Sequence, residues 1–340
     1  VFFAADDQTV IVTILPEIML DMNVQITELD RASWLITGYL LGYVAVMPLM
    51  GRMSDAWGHR KLFIIAISIF MLGSVLVALS RNLEFLIATR IFQAIGAGAL
   101  VPIAIAIVVD LFPLNRRGIP LGIVGACAEA GAVVGPLWGG LVTRYLDWQW
   151  VFWLNIPIAV IILLGIMMFL RPSSKHRHHV NVDYLGGIFI TTSLATLTLG
   201  LARVGMPDIW MALWFVVSVL SLTCFIFRQS MVREPLIPLY IFKNWILSAA
   251  NFTHLMVGGA LIIGMVTIPL MADTILGHST LEGGLRLMRM TVAIPFGAVL
   301  GGLFCQRLDY RLPTILGLIM VAIGFGFMSH WGLDIAAPAM

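Results

Sequence analysis

The feature that most constrains this chain is a series of apolar runs, each about 20 residues long, which recurs from one end to the other. Eleven runs are found, at 1–20, 32–51, 61–79, 84–111, 119–143, 150–170, 184–204, 209–229, 243–272, 281–305 and 312–330. Because about 20 apolar residues in a helix cross the core of a bilayer, the runs predict membrane-spanning helices. With 60% hydrophobic and 11% charged residues, the composition is typical of an all-α polytopic membrane protein.

The basic residues between the runs are divided unequally between the two sides of the membrane. One side has four of them, Arg31, Arg81, Arg144 and Arg203. The other side has thirteen, Arg52, Arg60, Lys61, Arg116, Arg117, Arg171, Lys175, Arg177, Arg228, Arg233, Lys243, Arg307 and Arg311. Since positively charged loops are retained in the cytoplasm, the side with thirteen is predicted to be cytoplasmic.

The cysteines and histidines do not form a pattern typical of a metal site. Cys127, Cys224 and Cys305 all fall within apolar runs, where they act as small apolar residues. The tract Lys175–His179 is interpreted as a solvated basic linker, because an isolated run of this kind seldom binds metal. We therefore expect neither a metal ion nor a disulfide framework.

The stretch 125–140 combines regularly spaced small residues with one carboxylate. Its glycine motif consists of Gly131, Gly135, Pro136, Gly139 and Gly140. Glycines at every fourth residue form a row along which a second helix can approach to backbone contact. Each glycine inside a helix costs about 1 kcal/mol relative to Ala, so the series indicates a packing requirement. Glu129 lies on a different face of the same helix.

Three acidic residues lie deep inside the predicted spans, away from the membrane surfaces: Asp6, Asp7 and Glu129. A rise of about 1.5 Å per residue places Asp7 and Glu129 at similar depths in the membrane. A carboxylate at such a depth is unfavourable unless it faces a cavity or a partner, so each is a candidate functional residue. The alternative stays open that Asp6 or Asp7 only hydrogen-bonds a neighbouring helix.

Two further motifs carry residues that an ordinary membrane helix would not need. The short basic turn after the second run contains Gly51, Asp55, Gly58 and Arg60. Its glycines permit close helix approach and a turn, and its aspartate can brace a helix end. The fourth run contains Arg90 and Gln93, followed one turn later by small residues. Both motifs are interpreted as conformational elements.

Polar residues in the later runs are candidates for a substrate cavity. Arg286 and Arg289 are three residues apart and therefore share a helix face, about 8 and 12 Å inside the external end. They either extend outward to the interface or bind an anionic head group. His254, near the middle of its run, is interpreted as forming a helix–helix hydrogen bond, with proton relay as the less favoured alternative.

In chain order, four stretches resemble motifs of the major facilitator superfamily, specifically its drug:proton antiporters with fourteen transmembrane helices: Asp7–Pro16, Gly51–Lys61, Arg90–Gly98 and Gly131–Gly140. The resemblance implies two pseudo-symmetric six-helix bundles joined by an inserted helix pair. It assigns the first bundle to 1–170, a cytoplasmic linker to 171–183, the inserted pair to 184–229 and part of the second bundle to 230–340. We expect further helices beyond Met340.

Within that family the chain is similar to mycobacterial lipid exporters that work with a periplasmic lipoprotein. The similarity rests on Ile26–Trp34 running into Tyr39–Leu49, on Asp7 with Glu129, and on Ser329–Asp334. It implies a bacterial inner-membrane location, a lipoprotein partner, and proton coupling by Asp7 and Glu129. Departures from the family pattern at Ala56, Ala94 and Gln306 predict a weaker lock between the cytoplasmic loops.

The sequence contains no phosphate-binding loop, nucleophile triad or cofactor fingerprint in a cytosolic position, so we expect no enzyme and no cofactor, with protons as the coupling ion. Three functions are considered: a proton-driven exporter of lipid or other amphiphiles, a multidrug:proton antiporter for small cationic amphiphiles, and a non-transporting membrane subunit. Retained intramembrane acids disfavour the third. Expected partners are membrane lipids and an amphiphilic substrate, and not nucleic acid.

Overall fold

A computed structural model describes residues 1–25, 28–170, 182–205, 208–274 and 280–330. Within these ranges it describes all side chains except those of residues 29, 30, 262, 265–291, 306 and 307. The described elements are α-helices and short 3₁₀ turns, with no strand among them. The all-α fold class is therefore confirmed.

Each of the eleven predicted runs corresponds to one long helix, and a short helix α2 precedes the second of them. The helices are α1 (Phe2–Asp21), α2 (Leu29–Ala32), α3 (Trp34–Trp57), α4 (His59–Ala78), α5 (Leu83–Leu111), α6 (Gly118–Tyr145), α7 (Gln149–Phe169), α8 (Tyr184–Ala202), α9 (Ile209–Met231), α10 (Trp245–Thr274), α11 (Thr280–Arg307) and α12 (Arg311–Met328). Among the described residues, eight of these helices, α3 to α9 and α12, are long and apolar enough to cross a membrane.

Several helix ends correspond to local sequence signals. The side chain of Asn82 accepts a hydrogen bond from the main-chain N–H of Phe85 at 2.8 Å and caps α5. Asp208 caps α9 in the same way through the N–H of Met211 at 2.8 Å. Gly58 has a φ of 90° between α3 and α4, a conformation that side chains disfavour, so the sharp turn there requires glycine.

The six long helices up to Phe169, α1 and α3 to α7, pack into a bundle with a continuous apolar interior. Within it α1 packs against α6, α3 and α4 pack against α5, and α7 packs against α4. One buried cluster includes Phe63, Phe70 and Ile103, and a second includes Ile14 and Phe152. One face of α1 is thereby enclosed by its neighbours, which explains how Asp6 and Asp7 become buried.

The helices after the linker make two kinds of contact with this bundle. Helices α8 and α9 pack against each other, and Thr191 of α8 donates a hydrogen bond to the main-chain oxygen of Ala45 in α3 at 2.9 Å. Helix α11 packs against α6. Residues 171–181 of the predicted linker lie outside the described residues, and the division into bundles and inserted pair stays a prediction.

Candidate functional site

The centre of the first bundle contains an ion pair that is closed to solvent. Arg90 of α5 donates from Nη1 to Oδ2 of Asp7 at 2.6 Å, and both side chains are 0% exposed. Its Nη2 donates to the main-chain oxygen of Asp7 at 3.0 Å. An arginine does not lose its proton in proteins, so a nearby negative charge is needed to make its burial tolerable.

Neutral donors complete the surroundings of the Asp7 carboxylate. Its Oδ1 accepts hydrogen bonds from Nε2 of Gln93 at 3.3 Å and from Nδ2 of Asn155 at 3.1 Å. Gln93 also donates to Oγ of Ser74 at 2.8 Å and accepts from Nη1 of Arg90 at 2.7 Å. Helices α1, α4, α5 and α7 therefore meet in one polar network, with every carboxylate oxygen of Asp7 bonded.

Aromatic rings enclose the guanidinium on its open faces. Arg90 lies 4.2 Å from the ring centroid of Tyr39 and 5.4 Å from that of Phe152. The hydroxyl of Tyr39 donates to the main-chain oxygen of Ala4 at 3.2 Å, which fixes the ring beside the pair. Such contacts stabilise a cation away from water and exclude water from the network.

Asp6 is as deeply buried as Asp7 but lacks its partners. The residue is 5% exposed, and its Oδ1 is buried without a hydrogen-bond partner. Its main chain lies against the glycine motif of α6: a Cβ added at Gly131 would lie 3.0 Å from the nitrogen of Asp6, and one at Gly135 would lie 2.6 Å from its oxygen. The two adjacent aspartates thus occupy chemically different sites.

The helix that approaches the glycine row is α1. A Cβ at Gly139 would lie 2.8 Å from Cγ2 of Val10, whereas one at Gly140 would make an ordinary contact of 3.6 Å with Cγ2 of Thr13. Pro136 lies inside α6 between Gly135 and Gly139. The predicted close approach is therefore present at Gly131, Gly135 and Gly139, and it brings two helices of the same bundle together.

Glu129 does not join the Asp7 network, although the sequence predicted similar depths for the two. It is half-buried on α6, and no hydrogen bond between it and Asp7 is present among the described residues. It interacts electrostatically instead with His254 of α10, an exposed residue. The side chains of Arg286 and Arg289 lie outside the described residues.

At the turn between α3 and α4, a histidine links the loop to α5. His59 contacts Oγ of Ser54 through Nδ1 at 2.6 Å and Oδ2 of Asp110 through Nε2 at 2.9 Å. Arg60 donates to the main-chain oxygen of Met167 at 2.9 Å. Asp55, expected to brace a helix end, is exposed and makes no described hydrogen bond or ion pair. His59 makes the stabilising contacts instead, because its ring reaches Ser54 of α3 and Asp110 of α5.

Asp55 instead lines a cavity of about 510 Å³. Gly51, Arg52 and the segment Pro235–Pro238 form other parts of its wall. Sequence reasoning missed Ser74, Asn155, His59 and Asp110. Asn155 had a detectable signal, since an amide inside a strongly apolar run requires a partner.

Comparisons with known proteins agree with the fold and its motifs. The Major Facilitator Superfamily model matches residues 1–339. A triacylglyceride transporter of Mycolicibacterium hassiacum is 35% identical over 98% of this chain and 64% of its own length. A triacylglyceride transporter of Mycolicibacterium smegmatis is 34% identical over 99% and 61%, and multidrug resistance protein 3 of Bacillus subtilis is 30% identical over 99% and 65%.

The chain thus spans between 61% and 65% of the length of these three relatives. Among solved structures, the human organic anion transporter MFSD10 matches with a TM-score of 0.59 at 16% identity, covering 91% of this chain and 71% of that one. This match shows the fold alone. The motif resemblance and the non-enzymatic assignment are confirmed by the family match. Because that match extends over 1–339, the chain belongs to the Major Facilitator Superfamily, and eight of its described helices are long and apolar enough to cross a membrane.

Proposed function

We propose that this protein is a proton-coupled secondary active exporter of lipid or other amphiphilic molecules. The observation that carries the proposal is the set of acids inside the helices, Asp6 and Asp7 buried in α1 and Glu129 half-buried in α6. Carboxylates at this depth are unfavourable and are retained where they carry ions or protons. Similarity over nearly the whole chain to triacylglyceride transporters supports an apolar or amphiphilic substrate.

Alternating access is supported by the contact between α6 and α11. A Cβ at Gly122 would lie 2.8 Å from the main-chain oxygen of Ala298, and one at Gly302 would lie 2.6 Å from that of Gly118. These contacts lie at the predicted cytoplasmic ends of both helices, so they close that end. Rocking of the helices after the linker against the first bundle would separate them and open a path to the cytoplasm.

In the proposed cycle, Glu129 binds a proton from outside and releases it inside. Its half-buried position gives it access to water, and His254 of α10 lies near enough to interact with it electrostatically. As access alternates between the two sides, the surroundings of the carboxylate change and so does its proton affinity. Export of substrate is then driven by the proton gradient.

The test uses the purified protein in liposomes with an imposed pH gradient and a fluorescent triacylglycerol as substrate. Glu129→Gln removes the titrating group at nearly constant volume, and we expect gradient-driven transport to fall to the level of protein-free liposomes. Glu17→Gln, at an exposed position of α1, is the matched control and should transport as the unaltered protein does. Transport by Glu129→Gln at the level of the control contradicts the proposal.

A multidrug:proton antiporter is the second candidate, favoured by the similarity to Bacillus subtilis multidrug resistance protein 3. The same liposomes distinguish the lipid exporter from the multidrug antiporter. Replacing the triacylglycerol with a cationic dye tests directly whether the protein transports small cationic amphiphiles. A bacterial inner-membrane location and a periplasmic lipoprotein partner belong to the lipid proposal. Copurification of a lipoprotein with the tagged transporter from its native membranes tests that part.

A further inference from the structure

Helices α8 and α9 are joined to each other by side-chain hydrogen bonds midway and at one end. Midway, Oγ of Ser193 donates to the main-chain oxygen of Ser218 at 3.1 Å, and Oγ of Ser218 donates to that of Ser193 at 2.9 Å. At the end, Nε2 of Gln229 donates to Oδ2 of Asp183 at 3.0 Å. Because polar side chains that bond across two helices hold them together in a membrane, α8 and α9 form one unit, the α8–α9 pair.

The α8–α9 pair is attached to the first bundle through α3. Thr191 donates to the main-chain oxygen of Ala45 at 2.9 Å, and a Cβ added at Gly187 would lie 2.9 Å from Cδ1 of Leu49. The two contacts are four residues apart on each helix, so α3 holds α8 at two successive turns. Among the residues that the structure describes, neither α8 nor α9 packs closely against α10, α11 or α12.

The chain that follows α9 stays attached to the pair and to α3 as far as Ile237. The main-chain N–H of Ile237 donates to Oε1 of Gln229 in α9 at 3.2 Å. Oε2 of Glu234 lies 3.7 Å from Nη2 of Arg52 in α3. The first part of the connection to α10 is therefore held by the helices that precede it.

From Pro238 onward the chain is attached to α10 instead. The main-chain oxygen of Pro238 accepts from the N–H of Ile241 at 3.0 Å, inside the short 3₁₀ turn Leu239–Lys243. Oγ of Ser248 in α10 donates to the main-chain oxygen of Phe242 at 2.9 Å. Pro238 itself has no N–H to donate. The hydrogen bonds on its two sides thus lead to different helices, as expected where a few residues between two rigid parts absorb a rotation.

We propose that the α8–α9 pair moves with the first bundle during alternating access, and that the hinge between the two moving parts lies at Ile237–Pro238. This inference rests on the proposed function and refines it, because it restricts the second moving part to the helices from α10 onward. Separating α8 from α3 would leave the hydroxyl of Thr191 without its partner in an apolar surrounding, which is unfavourable. A rotation at Pro238 leaves that contact in place.

The first test measures distances by double electron–electron resonance in the full protein in liposomes, with its three cysteines replaced by serine. Spin labels are placed in pairs at three exposed positions, Leu114 between α5 and α6, Tyr184 of α8 and Arg311 of α12. On changing from neutral to acidic pH with triacylglycerol present, we expect the distance from Leu114 to Tyr184 to stay constant. The distances from Arg311 to both other labels should change.

The possible outcomes separate this inference from the function on which it rests. A change in the distance from Leu114 to Tyr184, together with a change between Leu114 and Arg311, overturns the inference and leaves alternating access intact. No change in any of the three distances refutes the alternating access of the proposed function, and the inference with it.

A cross-link between α3 and α8 tests the same inference through transport. In the cysteine-free protein, Leu49→Cys combined with Gly187→Cys places two thiols where a Cβ at Gly187 would lie 3.6 Å from Cγ of Leu49, within reach of a disulfide. We expect gradient-driven transport to be equal before and after oxidation. The two single variants are the matched controls for the substitutions and for the oxidant. Loss of transport on oxidation that a reductant reverses, or failure of the disulfide to form, overturns the inference.

Discussion

Two clusters in this protein share the same chemical groups but differ in burial. One consists of Asp7, Arg90 and Gln93 inside the first bundle, and the other of Asp183, Arg228 and Gln229 at the ends of α8 and α9. The ion pairs measure 2.6 and 2.8 Å, yet Arg90 is 0% exposed and Arg228 is 37% exposed. Because water and salt screen an exposed pair, similar geometry is expected to contribute very different energies.

The second cluster acts mainly through local hydrogen bonds. Asp183 caps α8 by accepting from the N–H of Gly186 at 3.0 Å, and its other oxygen accepts from Nε2 of Gln229 at 3.0 Å. Burial alone would raise the pKa of Asp183, but the hydrogen bonds from Gly186, Arg228 and Gln229 outweigh it and hold the pKa below its ordinary value. The cluster therefore joins the ends of α8 and α9, and the carboxylate of Asp183 is not left without hydrogen-bond partners.

The largest expected difference comes from removing the arginine of each cluster. Arg90→Gln leaves Asp7 buried without its counter-charge, so we expect a loss of about 3–5 kcal/mol in the free energy of unfolding. Arg228→Gln is the matched change in the second cluster, whose arginine is partly exposed. Unfolding of both variants in mild detergent, followed by near-ultraviolet circular dichroism, measures the difference. Equal losses in the free energy of unfolding would show that burial of the arginine does not determine how much each ion pair contributes.

A smaller effect is expected from removing a neutral donor to the buried carboxylate. Asn155→Ala takes one hydrogen bond from Oδ1 of Asp7 and leaves a charged oxygen less well satisfied, which we expect to cost about 1.5–3 kcal/mol. The same unfolding measurement applies, and Asn155→Asp, which places a second negative charge there, should be worse. Stability unchanged in Asn155→Ala would mean that Gln93 alone is a sufficient donor.

The ion pair of the partly exposed Arg228 should contribute little and should respond to salt, because Asp183 keeps its hydrogen bonds from Gly186 and Gln229. We expect Arg228→Gln to cost about 0–1 kcal/mol at low ionic strength. At about 1 M salt the screening length falls to roughly 3 Å, so the cost should vanish for Arg228→Gln but persist for Arg90→Gln. A salt-independent cost at Arg228 would indicate that its role is packing.

The smallest expected effect is the pH dependence of the stabilisation by Asp183 in the second cluster. The folded pKa of Asp183 lies below the ordinary value of 3.8, so its stabilisation is complete above that value and is lost as the pH falls through the lower folded pKa. Hydrogen exchange at the first turn of α8 should therefore accelerate only under strongly acidic conditions. Asp183→Asn retains a cap and should remove this pH dependence; an identical acid response in that variant would exclude Asp183 as its source.

The number and bounds of the helices were largely determined by the sequence. A run of about 20 apolar residues forms a helix in a bilayer because its main-chain groups bond within the segment, so no distant residue is needed. Local signals such as Asn82 and Gly58 mark helix ends for the same reason, since each acts on main-chain groups a few residues away. Only α2 was not predicted, since a single turn leaves no periodic pattern.

The partners of the functional side chains were decided by the tertiary structure. The glycine row predicted a close approach, but only the packing shows that α1 supplies the second helix. Depth counting placed Asp7 and Glu129 at similar depths, whereas the fold brings Asp7 to Arg90 and Asn155 and leaves Glu129 apart. Periodicity reports the face and depth of a residue within its own helix. It carries no information on which other helix meets that face, because that choice depends on packing among residues far apart in the chain.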